Sequence, residues 1–465
     1  MGGWEKLKER NKLIASEIKK RDDFVIVNHH DADGLCAGAI IAKALERKGK
    51  KFTNKTTKQL YSETIKEIKE MGKNFIFVDF GSGQMDLLEE NIKENFFVID
   101  HHQPKQSEYK FHSNPFFFGF DGGNEISGSG MTYLLAKELN EKNKDLSVLA
   151  VVGAVGDMQD FKGKLEGINR KILEDAEKTG MIKKENDLRL YGRISRPLTQ
   201  FISYSSNPVF PGLAADDKAS AEFISENGIE LRQGDKWRTY SDLNEKEKKK
   251  FTSALIMHLI QNGFSEWKAK NLIGETYTLL KENPKSPLRD AKEFATLLNS
   301  CGRNGQPEIG LAVCMGDRIN AYQNAMELLL EHRRQLREGI EWVHKNGVEE
   351  EKAFYFFDSG ENIKEEIVGI IAGMLYGSKL IGQNKPIIAF AKQSEDLIKV
   401  SARATEDLVE KGLNLGKLLR ESCSELGGKA EGGGHKIAAG CRISKEQQKE
   451  FKEKLNDKIE SQMQN

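Results

Sequence analysis

The sequence predicts an α/β protein. A parallel-sheet domain covers 1–188 and a smaller α/β domain covers 346–465. Between them lie a connector (189–215), a helical insertion (216–295) and a connecting segment that ends in a long helix (296–345). Three observations predict this. Short apolar runs alternate with helix-length stretches from Asp23 to Asp187. One helical pattern then runs from Arg318 to His344, free of proline and interrupted only at Gly339. Beyond it, the alternation of apolar runs and helical stretches resumes.

The opening MGGWEKLKERNKLIASEIKK reads as a charged amphipathic helix without the apolar core of a signal peptide. FVIV (24–27), FIFV (75–78) and FFVI (96–99) read as buried strands. LCAGAIIAKALERK (35–48) reads as a helix closed by Gly49. The connector holds Pro197, Pro208 and Pro211 and no acidic residue. Its Arg189, Arg193 and Arg196 interleave with Tyr191, Phe201, Tyr204 and Phe210, a mixture suited to lining a single-strand channel. An ordinary packed linker is the equal alternative. Residues 216–300 read as polar and mostly helical, with an exposed EKEKKK tract (245–250). In the last part AFYFF (353–357), PIIAF (386–390) and LIKV (397–400) read as strands, and 363–376, 413–425 and 445–461 as helices.

Composition narrows the function classes. The chain has 465 residues, and its 71 Lys and Arg are balanced by 71 Asp and Glu. Nucleic-acid binding would therefore rest on local charge separation or bound metal, not on a global positive field. The apolar stretches are too short to span a bilayer. Five cysteines without a CxxC pair argue against a disulfide framework or zinc site, and a cytoplasmic location is expected.

The chemistry sits where the apolar runs end. FVIVN is followed by His29, His30, Asp31 and Asp33, FIFV by Asp79, and FFVI by Asp100, His101 and His102; the apolar helix SVLAVVGAVG ends at Asp157. In a parallel sheet, groups at the carboxyl ends of strands converge on one crevice. Carboxylates gathered there repel one another unless divalent cations neutralise them. A mixed Asp/His set suits manganese, zinc or iron better than calcium. A single Asp after a strand is usually a turn or a cap. The adjacent histidines are harder to dismiss, because four of the nine histidines in the chain lie in these two motifs.

The order HxDADG, a lone Asp, DHH and then GAVGD resembles the four motifs of the DHH phosphoesterase superfamily, over about 1–185. KVSARAT (399–405) and GGGHKIAAG (432–440) resemble the DHH-associated substrate-binding domain, and LLNSCGRNGQPEIGLAVCMGD (297–317) resembles archaeal RecJ-like proteins. The resemblance implies two Mn2+ ions, with Mg2+ as the alternative. Asp79 would bridge them, His29 and Asp31 would complete one site, and Asp33, His101 and Asp157 the other. His102 would lie near the scissile phosphate, with Asp100 orienting an imidazole. Ser401, Arg403, Gly432, Gly433, Gly434 and His435 would bind substrate; glycines there let backbone N–H groups approach a phosphate.

The activity implied is exonucleolytic hydrolysis of single-stranded DNA or RNA in replication or repair, with 5′→3′ cleavage of DNA favoured and 3′→5′ cleavage of RNA left open. The family also implies contact with the GINS complex through the helical insertion, and through it with the replicative helicase. Two alternatives stand beside this reading: an oligoribonuclease or small-nucleotide phosphodiesterase, and a replisome scaffold protein.

Overall fold

Alternate residues of each central strand belong to two different cores, which is how the first sheet comes to be covered on both faces. The protein is represented by a computed structural model that describes residues 2–105, 109–205, 208–214, 216–377, 380–427 and 430–464. Its first sheet comprises β1 (Phe24–His29), β2 (Phe52–Thr57), β3 (Asn74–Val78), β4 (Phe96–Ile99) and β5 (His112–Ser113), all parallel, in the order β2-β1-β3-β4-β5. Phe24, Ile26, Ile76, Val78, Phe97 and Ile99 face one core. Packed into it are α1 (Gly3–Lys20), α2 (Ala32–Glu46), α5 (Gly128–Leu139) and α6 (Ser147–Gly156). Val25, Val27, Phe75, Phe77, Phe96 and Val98 face the other core, closed by α3 (Ser62–Lys69) and α4 (Met85–Ile92). Burial on both faces is why these strands read as unbroken apolar runs.

This strand order reverses direction between β1 and β3, since the chain steps outward from β1 to β2 and then returns across it. Ligand crevices of open parallel sheets form at such a reversal, beyond the carboxyl ends of the strands. His29 ends β1, and Asp79 follows β3 directly.

The chain divides into two compact units, residues 1–201 with 223–329 and residues 202–222 with 330–465; the division falls within the helix Asn320–Asn346. The second unit holds a mixed six-stranded sheet. Its strands run in the spatial order Glu349–Glu350, Tyr355–Asp358, Ile387–Lys392, Leu397–Arg403, Ala438–Ser444 and Glu431–Gly434. Helices Leu415–Leu426 and Gln448–Gln464 supply Leu415, Leu418, Leu419, Phe451, Leu455 and Ile459 to one of its cores. Among the described residues no helix is long and apolar enough to cross a membrane. All five cysteines are buried, and none forms a disulfide among the described residues.

Two expectations need correction. The stretch 216–300 is not simply helical: Ile273–Leu279 is a strand, paired antiparallel along its whole length with Ile182–Leu188. The connector does not present its arginines and aromatics as an open lining. Arg189 pairs with Asp160 at 2.8 Å, and Arg193 with Asp187 at 2.7 Å and Asp290 at 3.2 Å. Arg196 lies over the Tyr191 ring at 4.5 Å, and Phe201 and Phe210 are fully buried. A stretch without acids of its own draws them from elsewhere in the chain. Glu293 completes the attachment by accepting from the Ile194 and Ser195 N–H groups.

Candidate metal centre

Three turns at the carboxyl edge of the sheet and two helix ends build the centre. Asp31 is the N-cap of α2, its Oδ1 accepting from Gly34 N–H at 3.0 Å, so one carboxylate oxygen is committed and the other is left over. That second oxygen lies 2.9 Å from His29 Nδ1. Asp33 is 2% exposed and reaches across to the start of α5. There it accepts from Gly128 N–H at 2.7 Å and Ser129 N–H at 3.0 Å, a favourable place for a negative charge. The approach is close: a Cβ at Gly128 would lie 2.1 Å from Asp79 Oδ1, and one at Gly153 2.4 Å from Asp33 Oδ1. Glycine is required at both positions because any side chain would displace a carboxylate.

Asp79 is at the middle. It is 1% exposed and has φ +66°, a left-handed conformation that Asp tolerates better than most residues. Its Oδ2 is 3.6 Å from His29 Nδ1, and its Oδ1 is 3.2 Å from His101 Nε2. Oδ1 is nevertheless a buried oxygen without a hydrogen-bond partner. His101 Nδ1 is satisfied by the Gly122 carbonyl at 2.7 Å, which leaves Nε2 turned toward Asp79 and, at 3.8 Å, Asp33. Such a carbonyl bond on one ring nitrogen is the usual companion of metal ligation by the other. Asp157 follows α6, 3.8 Å from His101, and is steadied by Gln159 Nε2 at 2.9 Å.

Ligand-type atoms of His29, Asp31 and Asp79 lie within 4.8 Å of one another, and so do those of Asp33, His101 and Asp157. A further group, Asp79, Asp100, His101 and His102, meets the same limit. Asp100 is committed elsewhere: it is fully buried and accepts from the N–H groups of Ser82, His101 and His102 and from His102 Nδ1 at 2.8 Å. Its role is to hold the two histidines, not to offer a free oxygen.

The titration behaviour fits a site that lacks positive charge. Burial, and next the charge on Asp79, push the Asp33 carboxyl well up. Burial likewise raises Asp157, against the pull of His101. Burial alone would lower His101 and His29, but Asp157 and Asp79 for the first and Asp31 for the second raise both imidazoles well above their usual value. Asp33, Asp157 and the two imidazoles are therefore shifted toward holding protons, the response expected of crowded anions that a divalent cation would satisfy, whereas His29, against the pull of burial, holds Asp31 low. The orphaned Asp79 Oδ1 and the mixed N/O donors fit such a cation.

Several residues of the centre carried no obvious sequence signal. Ser82, in the turn after Asp79, accepts from Asn114 at 2.9 Å and lies 2.7 Å from His112 Nε2, while Asn114 also donates to the His102 carbonyl. Gln159 bonds Asn169, Gly122 and Asp157. The helix Ala291–Arg303 packs on motif one: Asn299 accepts from Ala32 N–H, and a Cβ at Gly302 would strike the His30 carbonyl. Its last residue, Arg303, feels the Asp31 charge. The short polar stretches SGQ, HSN and SGSG have the composition of turns, but their polar atoms acquire meaning only in three dimensions.

Of the remaining sequence-derived residues, Ser401 and Arg403 lie in the strand Leu397–Arg403, opposite Gly440 and Ala438. Gly432, Gly433 and Gly434 form an edge strand paired with Cys441, Gly440 and Ala439, not a free loop. A Cβ on Gly432 would lie 2.6 Å from that of Cys441, so close packing already requires glycine there. His435 is exposed just beyond. These residues all belong to the second unit.

Three family models match the chain: the DHH family N-terminal domain over 23–155, the DHH-CID domain over 190–273 and the DHHA1 domain over 351–461. An uncharacterised protein of Methanocaldococcus jannaschii is 34% identical across 99% of both chains. This chain belongs to the DHH superfamily, and its fold is RecJ-like. Its fold is similar to that of Thermus thermophilus RecJ in complex with Mn2+ (TM-score 0.60, 18% identity, covering 98% of this chain). The chain spans 55% of that RecJ's length. It is also similar to CDC45 from Entamoeba histolytica (TM-score 0.64, 14% identity, covering 99% of both chains).

Asp100 gives a direct test of how the DHH triplet is held. Burial lowers His102, but the Asp100 carboxylate raises it to about 8, so the imidazole is protonated at neutral pH. In Asp100→Asn that lift is lost and the pKa moves back toward its ordinary value of roughly 6.5. If protonated His102 assists turnover, the alkaline limb of the rate profile moves to lower pH, and kcat falls about 10- to 100-fold. A pH–rate profile of both proteins measures this.

Proposed function

We propose that this DHH-family protein is a metal-dependent phosphodiesterase that removes nucleotides from the ends of single-stranded nucleic acid, with 5′→3′ action on DNA the favoured direction. The observation that carries the reading is the convergence of two three-residue ligand groups beside one buried, unpartnered carboxylate oxygen, that of Asp79. His29, Asp31 and Asp79 would hold one divalent cation, and Asp33, His101, Asp157 and Asp79 a second, with Mn2+ preferred by the mixed nitrogen and oxygen donors. Bound in a pair, such ions neutralise phosphate charge and bring the pKa of water to roughly 7.

The chain's own groups do the rest. Asp100 orients the His102 ring through Nδ1, which leaves the other N–H of a half-exposed, protonated imidazole to donate to a phosphate oxygen. Arg303, near enough to feel the Asp31 charge, would supply a second cation for the same anion. Ser401, Arg403 and the Gly432–His435 segment are proposed as the second unit's substrate contacts. Incubating end-labelled single-stranded DNA and RNA, labelled at either end, with Mn2+ or Mg2+ tests the proposal. Progressive shortening is expected, and intact strands of both kinds in both metals would sink it.

A second reading, a replisome scaffold docking GINS through residues 216–295, draws support from the fold shared with CDC45. It is compatible with the first, because every carboxylate of the centre is present. Co-sedimentation with purified GINS subunits tests the second reading, and its absence would sink it.

A further inference from the structure

The loop after Asp157 is built inside out. Its polar residues Gln159 and Asp160 are 2% and 5% exposed, while Met158 and Phe161 stand 64% and 51% in solvent. Burying the polar residues and exposing the apolar ones reverses the ordinary partition. The arrangement is held firmly. Met158, Gln159 and Phe161 donate their N–H groups to Val155, Ala154 and Met158 within 3.1 Å. The Gln159 amide bonds Asp157 and Gly122, and Arg189 clamps Asp160 through both carboxylate and carbonyl.

Met158 has φ +59°, a conformation rare for a residue of this kind. Such an outlier persists where its surroundings over-determine it, and outliers of this sort cluster at functional sites. The residue before Met158 is itself one of the centre's proposed ligands. Among the described residues no aromatic ring packs on Phe161; its neighbour is Lys162 Nζ, 5.5 Å from the ring centroid. Lys164 follows two residues later.

We infer that Met158 and Phe161 form a stacking platform for the nucleobase of the terminal nucleotide, beside the centre that would cleave its phosphodiester. The inference rests on the nuclease reading and gives it a substrate determinant. Two side chains are too small a patch for a stable protein interface, which buries about 800 Å2 on each partner. They match the face of one base. Stacking on a ring and a thioether accepts any base, and the exposed Lys162 and Lys164, which share Glu166 at 3.5 and 3.6 Å, add positive charge for the backbone phosphates.

The test uses the full chain with Mn2+ and single-stranded oligodeoxynucleotides that end in a normal nucleotide or in an abasic residue. Wild type should prefer the base-bearing end by about tenfold in kcat/KM, within the range for one stacked base. Phe161→Ala should shrink that preference to less than about twofold, and Phe161→Trp should restore it. In parallel, 2-aminopurine is placed as the terminal nucleotide at each end in turn. Its fluorescence should be quenched on binding wild type and not on binding the alanine variant.

Equal loss on both strands, or an undiminished preference, overturns the platform. If wild type cleaves neither strand but quenches the probe through Phe161, the nuclease reading falls and the platform stands. If it neither cleaves nor quenches, both fall.

Discussion

Asp79→Asn should lower strand hydrolysis by at least about 10³-fold while leaving the protein folded. Several kcal/mol of charge stabilisation are at stake, at about 1.36 kcal/mol per tenfold in rate. Asparagine is the substitution of choice because the residue sits at φ +66°, where Asn is tolerated and Ala is not. The amide removes a charge that raises both Asp33 and Asp157, so the metal-free variant should melt no lower than wild type. The signature is then a split: an unchanged or higher Tm without metal, no rise on adding Mn2+, and no activity. Turnover near the wild-type rate in excess Mn2+ would remove Asp79 from the centre.

Divalent cations should bind more tightly as pH rises and should release protons as they bind. Asp33, Asp157, His29 and His101 all have pKa values raised above their ordinary ones, so the cation-free centre holds protons that a ligated centre must give up. The sign is fixed: the bound state carries fewer protons, and the association constant increases with pH until those groups have titrated. Calorimetry in two buffers of different ionisation enthalpy counts the released protons. At a concentration about 100 times Kd the cation should stabilise the fold by about 2.7 kcal/mol, lost on adding a chelator. An affinity that does not change with pH across roughly pH 6 to 8 would contradict these electrostatics.

Much of the first unit was legible because its central strands are buried on both faces. Phe24–Val27, Phe75–Val78 and Phe96–Ile99 can be nothing but apolar, and their ends point to His29, Asp79 and Asp100. The edge strand Phe52–Thr57 left no such trace: half exposed, with one neighbour, it is made of FTNKTT. Ile273–Leu279 was hidden for a related reason, since its partner Ile182–Leu188 lies far away in the chain and its alternation, IGETYTL, is weak.

The connector misled because composition was read without partners. Arginines with no acid nearby in sequence looked available for phosphate, yet Asp160, Asp187 and Asp290 reach them from other segments. In the centre, residue types and strand ends led to side chains that the fold gathers into groups of three and four, the ligand-type atoms of each group within 4.8 Å of one another. The supporting Ser82, Asn114, Gln159 and Asn299 were beyond reach, since their meaning lies in single hydrogen bonds across the sheet edge.

Asp33 is fastened to the backbone that opens α5, 95 residues farther along, and Asp157 lies later still. If the centre holds cations as proposed, their affinity is a product of high contact order. A nascent chain that has emerged only as far as the DHH triplet already displays HHDAD as well, yet it lacks the helix end that aims Asp33 and the carboxylate that completes the second group. During synthesis such a chain should compete poorly for scarce transition metals. Metallation should follow docking of the sheet with α5 and α6, and so report that this part of the molecule has finished folding.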